Sequence, residues 1–307
     1  MPESLKNRLV IAVSSRSLFD LAKSNTIFET QGLDKYTEHQ LEHEEVPLDP
    51  GVAFPLVKKL LALRYPVTNE PVAEVIIVSK NSPNIGIRIF NSIETHQLSI
   101  TRAVFTSGRP PYEYLAAFGA HLFLSSEPKD VKQALDHGFA AATLLGNTAD
   151  VDVMKELDVE LRIAFDGDAV LFSDEAEQVY QEGGIEAFHK HEVEKAKIPL
   201  HPGPFKPFLE ALHKIQQAYA HTHLKPIRTA LITARDAPAH KRAIYTLRHW
   251  GIEIDEVLFL GGLDKTPFLE HFKPHIFFDD QHGHCDRAEK VVPTGHVPYG
   301  IANKKKE

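Results

Sequence analysis

Short apolar runs alternate with longer amphipathic stretches along the whole chain. Apolar runs of strand length separated by helical patterns are typical of a parallel β-sheet covered by helices, so the pattern predicts an α/β fold. In the first half the runs predict strands at 9–13, 74–78, 103–106, 121–124 and 140–145. In the second half they predict strands at 161–165, 229–233, 256–260, 275–278 and 290–293. The stretches between the later strands predict helices at 239–250, 266–271 and 286–289.

The two halves of this pattern repeat each other at an offset of 152 to 154 residues. Apolar positions and turn glycines match where 164–170 falls on 12–18, 199–203 on 47–51, 258–262 on 104–108 and 276–280 on 122–126. Such a repeat indicates duplication of a domain, since solenoid repeats are about 20–50 residues long. We therefore predict two tandem parallel-sheet units, residues 1–150 and 151–307, with a boundary near 146–157.

Each predicted unit carries a long segment between its first and second strands. These segments run over about 20–71 in the first unit and about 174–226 in the second. A simple connection in an α/β unit takes about 2–6 residues. We expect each insertion to form a small helical cap over the carboxyl ends of the strands, where ligands bind in open α/β sheets.

Acidic residues follow two apolar runs of the second half. Asp166 and Asp168 come directly after the apolar run 163–165, and Asp279 and Asp280 end the strand predicted at 275–278. Residues two apart on a strand point to the same side, so the first pair could share one site. Such acids can bind Mg²⁺, attack as a nucleophile or move a proton. Taken alone, either pair is also compatible with an ordinary turn or an acidic surface.

A hydroxyl and an amine complete this set. Thr233 ends a predicted strand, where it could hold a phosphate oxygen with nearby backbone N–H groups or simply cap a helix. Lys265 follows a glycine pair and could neutralise both a phosphate and an aspartate nucleophile, although an isolated lysine is usually solvated. Four such features at the ends of successive strands predict one active site in the second half. The positions of the first half that align with the two acid pairs and the lysine are Ser14, Arg16, Pro111, Ser125 and Ser126.

The segment 165–175 (FDGDAVLFSDE) resembles the first motif of the cytosolic 5′-nucleotidase type I family, within the haloacid dehalogenase superfamily. The likeness also takes in 12–20 (AVSSRSLFD), 40–44 (QLEHE) and 231–235 (LITAR), and it covers essentially the whole chain. It implies two haloacid-dehalogenase-like (Rossmann-type) units, the first degenerate and the second catalytic. It also implies Mg²⁺-dependent hydrolysis of nucleoside 5′-monophosphates through an aspartyl-phosphate.

The resemblance assigns roles to the candidate site residues. It implies that Asp166 is the nucleophile and Asp168 the general acid and base, while Thr233 and Lys265 hold the substrate phosphate. Two alternatives to this activity stay open. The protein could hydrolyse another small phosphate ester, such as a sugar phosphate, or it could be a non-catalytic nucleotide-binding regulatory protein.

The same resemblance implies a ligand set for Mg²⁺. Asp166 and Asp279 are the expected carboxylate ligands, and Asp168 is expected to contribute its main-chain carbonyl. Asp280 matches the second acid of the paired type of fourth motif, and whether it touches the metal directly stays open.

Two cap residues are candidates for contact with the base or ribose of a nucleotide. Phe188 could stack on a base, and His191 could reach a ribose or a base edge. They align with Tyr36 and His39 of the first half, so shared packing positions are the alternative.

The first unit has lost its acids, and its aligned pocket is a candidate site for a nucleotide effector. Arg16 and Arg109 could supply positive charge there, because arginine pairs well with phosphate. The alternative is that this unit only supports the other by packing.

Composition excludes several other functions. The chain has 307 residues and a net charge of −8, which argues against nucleic acid as the main partner because phosphate backbones require clustered cations. Cys285 is the one cysteine, so we expect a reducing, cytoplasmic location. The apolar run 9–13 is shorter than a signal-peptide core of about 7–15 residues or a membrane span of about 20, so we expect no membrane partner. A homo-oligomer stays open.

Overall fold

The computed structural model describes residues 5, 7–146 and 160–303, and ten strands of that part form one sheet. The strands are β1 (Leu9–Val13), β2 (Ala73–Ser79), β3 (Arg102–Phe105), β4 (Leu122–Ser125), β5 (Ala141–Leu145), β6 (Leu161–Phe165), β7 (Ile227–Thr233), β8 (Glu256–Phe259), β9 (Ile276–Asp279) and β10 (Thr294–His296). Every residue of β1 and β2 is buried, as expected for parallel strands that are covered by helices on both faces. The structure is therefore a mixed α/β fold with a mostly parallel central sheet, consistent with a Rossmann-like fold.

Helices connect most of the strands. They are α1 (Ser15–Leu18), α2 (Ala22–Glu42), α3 (Phe54–Ala62), α4 (Pro83–Thr95), α5 (Leu115–Phe118), α6 (Pro128–Asp136), α7 (Glu175–Glu194), α8 (Lys206–Ala218), α9 (His240–Trp250), α10 (Thr266–Phe272) and α11 (His282–Ala288). None of the helices in the described ranges is both long enough and apolar enough to cross a membrane.

The strand order is β3-β2-β1-β4-β5-β10-β9-β6-β7-β8. The strands within residues 9–145 and those within 161–296 thus follow the same order, counted from each outer edge of the sheet. The two sets join where β5 and β10 pair antiparallel, while the other neighbours are parallel. The predicted division between residues 150 and 151 lies outside the described residues.

The long segments after β1 and β6 are largely helical. In each, the long helix is broken at a glycine with positive φ, Gly32 (φ 84°) in α2 and Gly184 (φ 72°) in α7, a conformation that side chains with a Cβ rarely adopt. Glu192 of α7 accepts a hydrogen bond from Arg235, two residues beyond β7. The second segment therefore reaches the carboxyl end of the sheet.

Most predicted elements agree with the structure to within a few residues, but the last strand and helix were misplaced. The prediction put a strand at 290–293 and a helix at 286–289, whereas β10 is Thr294–His296 and α11 is His282–Ala288. The sequence of β10, Thr-Gly-His, has no apolar pattern. It is a strand because β5 and β9 flank it, and a Cβ at Gly295 would lie 2.7 Å from the ring of Phe278.

Candidate active site

Three neighbouring strands bring polar side chains to one edge of the sheet. Asp166 directly follows β6, Thr233 ends β7 and Asp279 ends β9. Because β6 pairs parallel with both β7 and β9, their carboxyl ends lie side by side. The close approach of Gly167 to Thr233 shows how tightly this edge is packed, since a Cβ on Gly167 would lie 3.2 Å from Thr233 Oγ1. All three polar side chains are buried.

Lys265 lies just before α10, in the connection between β8 and β9, and its side chain contacts this cluster. Its buried ammonium donates to Asp166 Oδ1 at 2.7 Å and to Asp279 Oδ2 at 2.6 Å. Burial alone would lower the pKa of Lys265, but the two carboxylates outweigh burial and raise it. The lysine is therefore a fixed positive charge inside the site rather than a solvated surface cation.

Three carboxyl groups surround this charge and could hold a metal ion. One oxygen from each of Asp166, Asp279 and Asp280 lies within 4.8 Å of the others. Burial raises the pKa of Asp166 to about 6 although Lys265 opposes it, and burial with the charges of Asp166 and Asp279 raises the pKa of Asp280 to about 9. Burial also opposes ionisation of Asp279, but Lys265 and then His284 lower its pKa overall.

The donor set fits a hard divalent cation. Carboxylate oxygens are the ligands that Mg²⁺ and Ca²⁺ prefer, and a cation would offset the negative charge that one ammonium leaves uncompensated. The Asp168 side chain is not part of this three-carboxylate group. Its expected contribution, a main-chain carbonyl, stays a prediction.

Asp168 is instead paired with an arginine that the sequence analysis did not select. Arg235 donates from Nε to Asp168 Oδ2 at 2.8 Å and from Nη2 to Oδ1 at 2.7 Å. Arg235 lies two residues beyond β7 in the segment 231–235, and its position beside a strand end that carries Thr233 was the available signal. Only tertiary contact shows that it faces Asp168, 67 residues away.

Arg235 is part of a buried chain of charges. Its Nη1 donates to Glu192, and Arg242 of α9 donates from Nη1 to the other oxygen of Glu192 at 2.8 Å and from Nη2 to Glu175 at 2.7 Å. Burial would raise the pKa of Glu192, but the two guanidinium groups outweigh burial and hold that pKa below its usual value. The charges therefore connect Asp168 to both ends of α7.

The two cap candidates lie next to this chain of charges. Phe188 is buried, packs with Ala176 and Ala239, and has its ring centre 5.6 Å from the guanidinium carbon of Arg235. His191 Nδ1 lies 3.1 Å from Glu192 Oε1. A role for either in contacting the base or ribose stays a prediction, since both have protein partners here.

The aligned region of the first half carries no matching acids. Ser14 follows β1 and Ser125 ends β4, so hydroxyls occupy the strand ends where the second half has Asp166 and Asp279. Arg16 is exposed and donates to Asn25 at 3.1 Å. Arg109 is also exposed, and the effector site stays a prediction.

The fold and site define a Rossmann-like α/β protein with a buried acidic and lysine-containing centre at the carboxyl ends of its strands. A family model described as 5′-nucleotidase matches residues 1–304, and the chain belongs to that family. The chain is also 40% identical over 314 aligned residues to human cytosolic 5′-nucleotidase 1B, a match that covers 99% of this chain and 50% of that protein. The chain thus spans about half the length of the curated relative that it matches. The resemblance to the cytosolic 5′-nucleotidase type I family is confirmed.

Proposed function

We propose that the protein hydrolyses nucleoside 5′-monophosphates to a nucleoside and phosphate. The observation that carries the proposal is Lys265 held between Asp166 and Asp279, with Asp280 beside them, at the carboxyl end of a parallel sheet. Membership of the 5′-nucleotidase family supports the same reaction. In this proposal the first half is a degenerate duplicate, residues 151–307 form the catalytic unit, and α7 belongs to its cap. The name of the human relative favours a cytoplasmic location.

The proposed cofactor is Mg²⁺, held by Asp166, Asp279 and Asp280, with Asp168 contributing a main-chain carbonyl. When bound, the cation would neutralise negative charge on the transferring phosphoryl group, which is where much of the catalysis of phosphoryl transfer arises. Thr233 and Lys265 would bind the phosphate oxygens from the strand ends.

In the first step, Asp166 attacks phosphorus and forms an aspartyl-phosphate while the bond from phosphorus to the 5′-oxygen breaks. Lys265 donates to Oδ1 of Asp166, which leaves Oδ2 for the attack. Asp168 gives its proton to the departing 5′-oxygen. In the second step a water molecule attacks phosphorus, Asp168 takes the proton of that water, and Asp166 is released with phosphate.

The test is phosphate release from a panel of nucleoside 5′-monophosphates and sugar phosphates, with Mg²⁺ and with EDTA. Asp166→Asn should abolish release, while Ser14→Ala, at the aligned position of the first half, should keep wild-type activity. Near-normal turnover by Asp166→Asn would refute the nucleophile. Release of phosphate from sugar phosphates alone would indicate that the substrate is another phosphate ester. If no substrate of the panel released phosphate, a non-catalytic nucleotide-binding protein would be favoured.

A further inference from the structure

We propose that Arg235 is the positioning residue for Asp168, and that it fixes the carboxyl group where it meets the leaving 5′-oxygen. This inference rests on the proposed role of Asp168 as general acid and base. It concerns an arginine that acts through another residue rather than on the substrate.

The contact fixes both oxygens of Asp168 in one plane. The Nε–Oδ2 and Nη2–Oδ1 distances of 2.8 and 2.7 Å describe a two-point pair, and a guanidinium group has the rigid fork that such pairing needs. The Asp168 side chain is 22% exposed, and the next residue, Ala169, adopts a positive φ of 60°. Without the fork, this partly exposed carboxyl group on a sharp turn could rotate away from the site.

Arg235 is itself held in place on all sides. It is 3% exposed, donates from Nη1 to Glu192, and has the rings of Phe172 and Phe188 at 6.0 and 5.6 Å from its guanidinium carbon. Each of its three nitrogens is thus committed to a carboxylate. Three of its five N–H groups are used in these bonds and the residue is only 3% exposed, so a positioning role fits its contacts better than direct binding of a substrate phosphate.

Comparison of the two halves of the chain distinguishes Arg235 from an arginine that both halves share. Arg88 donates to Gln40 at 2.9 Å and to a main-chain carbonyl beyond α2 at 3.0 Å. Arg242, its aligned partner, donates to Glu192 at 2.8 Å and to the matching carbonyl beyond α7 at 2.9 Å. Because Arg88 and Arg242 make the same pair of bonds, the arginine at this position stabilises the fold of both halves.

Arg235, by contrast, has no arginine at the aligned position of the first half. Its aligned residue in the first half is Asn81, whose side chain accepts from Tyr36 at 3.0 Å, and the residue aligned with Asp168 is Arg16. The guanidinium and the carboxylate that it holds are therefore present together in one half and absent together in the other. Glu192, the other carboxylate that Arg235 holds, is likewise replaced by Gln40 in the first half, so Arg235 is present only where both of its acidic partners are present.

A misplaced general acid should affect poor leaving groups most. General acid–base catalysis contributes about 10²–10⁴-fold, and a nucleoside 5′-alkoxide needs a proton to depart. The same nucleotide with sulfur in place of the bridging 5′-oxygen releases a thiolate, which departs without a proton. The ratio of kcat/KM for the oxygen substrate to that for the sulfur substrate therefore reports the acid alone.

The experiment measures this ratio for wild type, Arg235→Lys, Asp168→Asn and the matched control Arg88→Lys, with thermal denaturation of each. We expect Asp168→Asn and Arg235→Lys both to lower the ratio, the latter by about 10-fold or more with KM for the nucleotide little changed. Arg88→Lys should lose thermal stability and keep the wild-type ratio, which separates positioning from a general loss of fold.

Three results would overturn the proposal. If Arg235→Lys slows both substrates equally while Asp168→Asn lowers the ratio, Asp168 is the acid but Arg235 does not position it. If Arg235→Lys raises KM and leaves kcat unchanged, the arginine binds substrate. If Asp168→Asn leaves the ratio unchanged, the acid role in the proposed function fails, and the positioning role fails with it.

Discussion

Removal of Lys265 tests whether this lysine is the internal counter-ion of the acidic cluster. Lys265→Met keeps an unbranched side chain of similar length and removes the ammonium group. In wild type that group donates to Asp166 at 2.7 Å and to Asp279 at 2.6 Å, and all three side chains are buried. The substitution therefore leaves two buried carboxylates without their shared cation.

The expected loss of stability follows from this burial. Removing one partner of a buried ion pair typically costs about 3–5 kcal/mol, because the opposite charge stays buried without compensation. We expect the free energy of unfolding of Lys265→Met to fall by about this amount at neutral pH in EDTA. The difference in unfolding free energy between wild type and Lys265→Met should be smaller at lower pH. There the carboxyl groups of Asp166 and Asp279, left without the lysine, can bind protons on folding and stay buried in the neutral form. Under the proposed function, activity should be lost as well, because Lys265 is the proposed cationic partner of the substrate phosphate.

Urea denaturation followed by circular dichroism measures this loss, with Lys132→Met as the control. Lys132 pairs with Asp136 at 2.5 Å on the surface of α6, where both side chains are about half exposed. Exposed pairs one turn apart contribute about 0.3–0.5 kcal/mol, so the control should be nearly as stable as wild type. If Lys265→Met lost no more stability than Lys132→Met, Lys265 would not be the counter-ion of the cluster.

Three further predictions concern Asp280 of the same cluster, the packing of β10, and the first half of the chain. The pKa of Asp280 is raised to about 9, so the folded state binds a proton that the unfolded state has lost above its ordinary pKa of 3.8. In EDTA, stability should therefore fall as pH rises between these values, by up to about 1.4 kcal/mol per pH unit, and Asp280→Asn should flatten that slope in denaturation curves. Gly295→Val should cost about 1–3 kcal/mol by overpacking, because its Cβ would lie 2.7 Å from the ring of Phe278, and an unchanged melting temperature would contradict this packing. If the first half binds a nucleotide effector, the double variant Arg16→Ala and Arg109→Ala should weaken nucleotide binding measured by calorimetry on Asp166→Asn protein; unchanged binding would leave the first half a packing role.

The strands were predictable where burial is complete on both faces. Residues 9–13 are a continuous apolar run and 161–165 are apolar except for Arg162, and the structure has strands at both positions. The Thr-Gly-His strand β10 was missed because its pairing depends on β9 and on β5, and β5 lies in the other half of the chain. Local composition predicts a strand only where the strand carries its own apolar surface.

The candidate site was likewise predictable in part: the chain indicated where its residues lie but not how their side chains pair. The positions of Asp166, Asp279 and Lys265 after apolar runs pointed to one edge of a parallel sheet, because the carboxyl ends of parallel strands meet there. Their chain positions did not show that Lys265 bridges the two acids, which is a matter of side-chain direction and burial. Nor did they show that Asp168 faces Arg235.

The α/β alternation, the internal repeat and the strand ends that carry the acids could be predicted from the chain, because each is a local pattern of apolar and polar positions. Its likeness to the cytosolic 5′-nucleotidase type I family was also readable from short motifs. The antiparallel pairing of β5 and β10, which joins the two sets of strands in one sheet, could not be predicted in this way and is seen only in the folded structure. The folded structure also decides which charges pair, as in the chain from Asp168 through Arg235 and Glu192. The physical reason is that buried charges must find partners in space, and those partners come from segments that the order of residues does not bring together.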